Sequence, residues 1–104
     1  MSPVTVLAPI KLAEGKTEAD LLAASKAFQK DFVAHEAGVL RRELVRKSDG
    51  TYLDIVQFRS RDDYQDVIKK EMESPVCAMF FSVMDLSDFD HEAEMDVYVS
   101  LETH

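Results

Sequence analysis

The 104-residue sequence has no tryptophan and no asparagine, and it carries one cysteine, Cys77. A single thiol excludes an internal disulfide, so whatever holds the fold is non-covalent. Bases are few: 12 Lys and Arg stand against 20 Asp and Glu, for a net charge of −8. A nucleic-acid binder needs cations to face phosphates, and an anionic membrane surface asks for the same, so neither partner is expected. No long apolar run is present. The longest, Pro75 to Met84, is about half of what crosses a bilayer. The opening residues, MSPVTVLAPI, lack a basic region and a cleavage site, and a cytoplasmic protein is expected.

Repeats and low-complexity linkers are also missing, which leaves one domain over residues 1–104. Hydrophobic residues make up 46% and charged residues 31%, the balance of an ordinary globular chain. A domain of this size buries one modest core, so association with a second copy would add useful burial.

Local patterns give an ordered set of elements. Val4 to Ala8, bounded by Pro3 and Pro9, reads as a strand. Thr17-Glu18-Ala19-Asp20 fits a capping box, and a helix follows to about Ala37 with Leu21, Ala24, Phe28, Phe32 and His35 on one face. Val39–Lys47 and Thr51–Arg59 read as strands joined at Ser48-Asp49-Gly50, where glycine can take positive φ. A second helix starts near Ser60 with Tyr64, Ile68 and Met72 on one stripe. Ser74-Pro75 opens a third, SPVCAMFFSVMD, in which Ser82 is the one polar side chain between Pro75 and Met84. Ala93 to Leu101 alternates as a last strand.

The order β-α-β-β-α-α-β, with right-handed crossovers, predicts a four-stranded antiparallel sheet in the order 4-1-3-2. This is an α+β, ferredoxin-like βαββαβ arrangement with a split second helix. Strand three is apolar on both faces near its middle. Either Leu53, Ile55, Val97 and Val99 face the helices, with Asp54, Phe58, Asp96 and Tyr98 on the other side, or the alternation is inverted. Buried carboxylates need partners, and Arg41 or Arg42 on strand two can supply them.

The element order, the split helix around MESPVCAMFFSVM and the final strand AEMDVYVSL resemble the dimeric α+β barrel superfamily, the antibiotic biosynthesis monooxygenases and their relatives. The resemblance implies a homodimer with two facing sheets and a pocket between sheet and helices in each subunit. It implies a small apolar, aromatic or polyketide-like ligand. It also implies either a cofactor-independent oxygenase, a non-catalytic binding or stress-response protein, or a heme-binding or heme-degrading protein. Oxygenases of that family that work without a cofactor use asparagine, tryptophan and histidine or tyrosine. With no asparagine and no tryptophan here, that set does not carry over intact.

A helix that is apolar all round must be covered all round, so Cys77, Phe80, Phe81 and Met84, with Phe28, Phe32 and Phe58, are the candidate ligand-binding residues. His35, on the apolar face of helix one, is a candidate general base or heme ligand, and His91 in the acidic run DFDHEAE a second candidate base. Tyr64 and Tyr98 are candidates to hold a developing oxyanion. The acidic run matches no metal-binding loop, and no metal is expected. Cys77 lies in apolar surroundings that oppose ionisation, the setting of a packing residue. The basic segment RRELVRK and the acidic residues 85–96 occupy opposite sheet edges, an arrangement suited to aligning two subunits.

Overall fold

The computed structural model describes residues 2–87 and 96–104. It contains β1 (Val4–Ile10), α1 (Glu18–Asp31), a 3₁₀ turn (Val33–His35), β2 (Val39–Arg46), β3 (Tyr52–Phe58), α2 (Arg61–Glu71), α3 (Pro75–Phe81) and β4 (Asp96–Val99). The four strands form one antiparallel sheet in the order β2-β3-β1-β4, the predicted order read from its other edge. No helix among the described residues is long and apolar enough to cross a membrane.

Side-chain chemistry sets the helix ends. The capping box forms: Asp20 N donates to Thr17 Oγ1 at 3.3 Å, and Thr17 N donates to Asp20 Oδ2 at 2.9 Å. Ser60 Oγ accepts from Asp63 N at the start of α2. Helix α1 stops earlier than its periodicity predicts. At Phe32 the backbone leaves helical geometry (φ −127°), and a 3₁₀ turn follows. The break turns Val33 into the core and leaves His35 exposed.

Gly38 follows this turn and serves a close approach: a Cβ there would lie 2.8 Å from Asp63 Cβ. Its carbonyl accepts from Arg59 N at 2.7 Å. The hairpin between β2 and β3 does use a left-handed glycine, Gly50, at φ +88°.

The alternation on the sheet resolves into a mixed result. Tyr52, Asp54 and Phe58 are buried beneath the helices, so β3 takes the inverted reading. On β4 the original reading holds. Val97 pairs with Val6 and packs on the helix side, which sends Tyr98, opposite Thr5, to the open face. Register explains the split. Cross-strand neighbours share a face, and buried Val4 lies opposite both Phe58 and Val99.

Helices cover one face of the sheet in two packed clusters. Ile10, Leu21, Phe28, Val33, Tyr52, Cys77, Phe80 and Val83 form one, and Val4, Val6, Phe58, Tyr64 and Val67 the other, with Phe32 and Val39 touching both. On the opposite face, Leu7, Leu53, Ile55 and Val45 are half-buried, and no helix among the described residues lies over them. The last residues cross one end of that face, where Gln57 Nε2 donates to Ser100 Oγ at 3.2 Å and to Thr103 Oγ1 at 3.1 Å.

Two expectations about the helices change. Met72 is 70% exposed, so the buried stripe of α2 is Tyr64, Val67 and Ile68, continued by Glu71. The apolar α3 is covered on one side only: Cys77 and Phe80 are buried, while Met79 is 68% exposed. Its far end is clipped to the chain after β1, with Ala13 N donating to Val83 O and Asp85 N to Lys11 O.

Candidate functional site

A charged cluster lies where the sheet meets α1, α2 and α3. Arg42 on β2 and Asp54 on β3 are both 7% exposed at their side chains, and Arg42 Nε donates to Asp54 Oδ2 at 3.0 Å. The guanidinium also reaches Ser25 Oγ and, more loosely, the Ser25 carbonyl and Gln29 Oε1, all on α1. It also lies near two aromatic rings. The guanidinium carbon is 5.0 Å from the Phe28 centroid and 5.3 Å from that of Phe80, and those two rings stack on each other at 4.5 Å.

The cluster holds two carboxyls to one cation. Asp54 Oδ1 is buried and has no hydrogen-bond partner among the described residues. Burial raises the Asp54 carboxyl above its usual range, against the pull of Arg42. Glu71, at the end of α2, is pushed from the ordinary 4.5 to about 7, first by burial and then by the charge of Asp54, with Arg42 opposing both. The neighbouring Cys77 thiol is also pushed up, mainly by burial and further by the charge of Glu71, which leaves it a protonated packing group. Two carboxyls, one cation and a wall of aromatic rings can bind a flat molecule and exchange a proton with it.

The candidate residues divide around this cluster. Phe28, Phe80 and Cys77 are buried beside it. Phe32 stacks on Phe28 at 5.6 Å, and Phe81 lies 6.1 Å from Phe80. Met84 sits at the clip to Leu12. Phe58 belongs to the other cluster, edge-on to Tyr64 at 5.3 Å. Tyr98 is on the open face of the sheet, so the sheet separates it from Tyr64. His35 is exposed in the 3₁₀ turn. His91 lies outside the described residues, as does most of the acidic run. Among the described residues, no group of three or more His, Cys, Asp or Glu side chains could hold a metal ion.

Two shallow hollows lie elsewhere. One of about 240 Å³ sits between the start of α1 and the β2–β3 hairpin, where Glu18 accepts from Arg46 and Tyr52. Another of about 330 Å³ lies on the open face between Arg41, Gln57 and the C-terminal residues.

The topology and this helix–sheet cluster allow comparison with solved structures. SnoaB from Streptomyces nogalater, a cofactor-independent oxygenase, superposes with a TM-score of 0.71 at 16% identity, covering 99% of this chain and 97% of that one. This chain has the antibiotic biosynthesis monooxygenase-like fold. A second structure with this fold, a protein from Bordetella bronchiseptica described as an antibiotic biosynthesis monooxygenase, matches over 100% of both chains at 15% identity and a TM-score of 0.70. Rv0793 from Mycobacterium tuberculosis matches at 19% identity and a TM-score of 0.65, with 98% of each chain covered. No protein-family model matches the sequence. No curated protein matches it either.

Within this monooxygenase-like fold, the sequence pattern missed Glu71. The signal was present: Glu71 falls seven residues after Tyr64 and three or four after Ile68 and Val67, on the buried stripe. A carboxylate in a position that periodicity marks as core is the cue. Arg41 and Arg42 were both expected as partners for buried carboxylates, and Arg42 is the one that pairs with Asp54. Ser25 was not expected, because a serine between Ala24 and Phe28 gives no sign that it will face an arginine. Within the chain, residues of the basic segment form ion pairs: Arg42 with Asp54, Arg46 with Glu18 and Arg41 with Glu43.

Proposed function

We propose that the protein is a homodimer that binds a small, flat, aromatic or polyketide-like molecule between sheet and helices, beside the Arg42–Asp54 pair, and oxidises it without a cofactor. One observation carries this reading: a fixed ion pair with an unpartnered carboxylate oxygen lies under the stacked rings of Phe28 and Phe80, beside a carboxyl whose proton affinity is near neutral. A core selected for stability alone gains little from such a cluster, because buried ion pairs seldom repay their desolvation.

The ligand enters by displacing α3. That helix has seven residues, one buried side and exposed Met79, so it is the wall with least to hold it. Met79, Met84 and Phe81 then line an adaptable apolar surface. The substrate gives up a proton from an activated ring carbon. The carbanion reduces dioxygen, a carbon–oxygen bond forms, and the peroxide takes up a proton. The second subunit covers the open sheet face, where Leu7, Leu53, Ile55 and Val45 form an apolar patch.

Dioxygen uptake tests the reading. The purified protein is expected to consume oxygen with hydroxyaromatic substrates in the absence of flavin, heme or added metal. A protein that neither binds such compounds by calorimetry nor consumes oxygen refutes it. Binding without turnover is the second reading, favoured by the separation of His35, Tyr64 and Tyr98, and it gives calorimetric binding with no oxygen uptake.

A further inference from the structure

Asp54 gives one carboxylate oxygen to Arg42 and keeps the other, Oδ1, buried without a donor among the described residues. The side chain is 7% exposed, so bulk solvent does not serve that oxygen. An unpaired buried carboxylate oxygen is costly and calls for a hydrogen-bond donor. The neighbouring side chains do not supply one. Directly across the sheet stand Ala8 on β1 and Leu44 on β2, both apolar. Two positions away along β3, on the same face, are Tyr52 and Val56. The Tyr52 hydroxyl donates to Glu18 Oε1 at 3.1 Å, and valine has no donor. Arg42 is committed through every guanidinium nitrogen: Nε to Asp54 Oδ2, Nη1 to the Ser25 carbonyl and Gln29 Oε1, and Nη2 to Ser25 Oγ. Phe28 and Phe80, the rings beside the guanidinium, have no donor either. With a cation on Oδ2, the ionised carboxylate is an acceptor at Oδ1.

We propose that Asp54 Oδ1 anchors a hydrogen-bond donor on the bound aromatic molecule, so that the site selects rings carrying a neutral hydroxyl or N–H over rings that lack one. The inference rests on the ligand site proposed above and adds the group that sets its specificity. Phe28 and Phe80 offer apolar ring surface. Arg42, held from α1 and β3 together, keeps the Asp54 carboxylate in one orientation. A donor on Oδ1 fixes the rotation of the bound ring, which apolar contact leaves free. The new bond is charge-assisted and formed away from solvent, so it is stronger than its equivalent at the surface.

The test titrates the full-length protein with naphthalene, 1-naphthol and 1-methoxynaphthalene by calorimetry under nitrogen, which prevents turnover. The ether keeps the acceptor lone pairs of the oxygen and loses only the donor. 1-Naphthol is expected to bind roughly 10- to 100-fold more tightly than the ether, the worth of one hydrogen bond to a charged group. Naphthalene, smaller than either, is expected to bind no better than the ether, which excludes a steric cause. In Arg42→Met/Asp54→Leu, where no lone buried charge remains, the preference for 1-naphthol is expected to disappear.

Equal affinity of the native protein for 1-naphthol and the ether, as a permanently held water on Oδ1 would give, overturns the inference and leaves the ligand site standing. A preference that survives in the double variant also overturns it, because the acceptor then lies elsewhere. If the double variant does not fold, carbon-13 NMR of labelled aspartate carboxyls in the native protein decides instead. One carboxyl signal is expected to shift with 1-naphthol and not with the ether, and the lack of any shift overturns the inference. Failure of all the probes to bind overturns the ligand site itself, and the anchor with it.

Discussion

Replacing Arg42 with methionine leaves Asp54 and Glu71 in the interior without the cation that faces them. Methionine keeps an unbranched apolar stem, so contact with Phe28 and Phe80 survives and the effect is largely electrostatic. The variant loses the 3.0 Å bond to Asp54, the contacts to Ser25 and Gln29, and the approach of the guanidinium to the Phe28 and Phe80 rings. Both members of the pair are 7% exposed, so solvent cannot take over from the lost partner. Removing one member of a buried pair costs about 3–5 kcal/mol. Set against a total stability of about 5–15 kcal/mol, that is a large share.

Urea unfolding followed by far-ultraviolet circular dichroism, a suitable probe for a chain without tryptophan, should therefore show a much lower midpoint at pH 7. In the variant, the folded-state affinities of Asp54 and Glu71 for protons, already above their unfolded values in the native protein, rise further because the opposing pull of Arg42 is gone. Protonation then favours the folded state, so part of the loss should be recovered as pH falls from 7 to 5. The double variant Arg42→Met/Asp54→Leu, which removes both charges, should lie close to the native protein. A loss below about 1 kcal/mol for the single variant, or a double variant no better than the single one, refutes the placement of this pair in a dry interior.

The remaining predictions are simpler. In the native protein, Glu71 is raised from 4.5 to about 7, so its contribution is fully present below 4.5 and is lost as pH rises through 7. Glu71→Gln should flatten the decline in stability between pH 5 and 8, and an unchanged slope counts against it. Gly38→Ala forces a methyl group against Asp63 Cβ at 2.8 Å and should lower the melting temperature through a cost of about 1–3 kcal/mol; an unchanged melting point would show that the helix yields freely. Ile55→Asp places a charge on the uncovered sheet face and should convert the proposed dimer to monomer in sedimentation velocity. A variant that still dimerises removes that face as the interface.

Glu71 and His35 show why some of the site could be read from the chain and some could not. His35 continues an apolar stripe at helical spacing, and its place depended on α1 running on to Ala37. The backbone instead breaks at Phe32, a choice set by how Val33 packs into the core. Glu71 was hidden for the opposite reason. Its neighbour Met72 is the apolar residue that periodicity places inside, yet α2 is rotated so that Glu71 turns inward and the thioether faces out. That rotation comes from Tyr64 and Val67 packing on Phe58 and the start of β1, contacts between residues distant in sequence.

The local code of the chain determined the elements: the capping box at Thr17, the Gly50 turn, the proline-led third helix, and from their order the sheet order and the helix-covered layer. These follow from hydrogen bonds and steric limits within a few residues. Tertiary structure alone decided which face of β3 turned inward, because strand alternation has two equivalent settings until a neighbouring strand fixes the register. Val4 opposite Phe58 made that choice. It buried Asp54 rather than Leu53, and so created the charged cluster on which the proposed function stands.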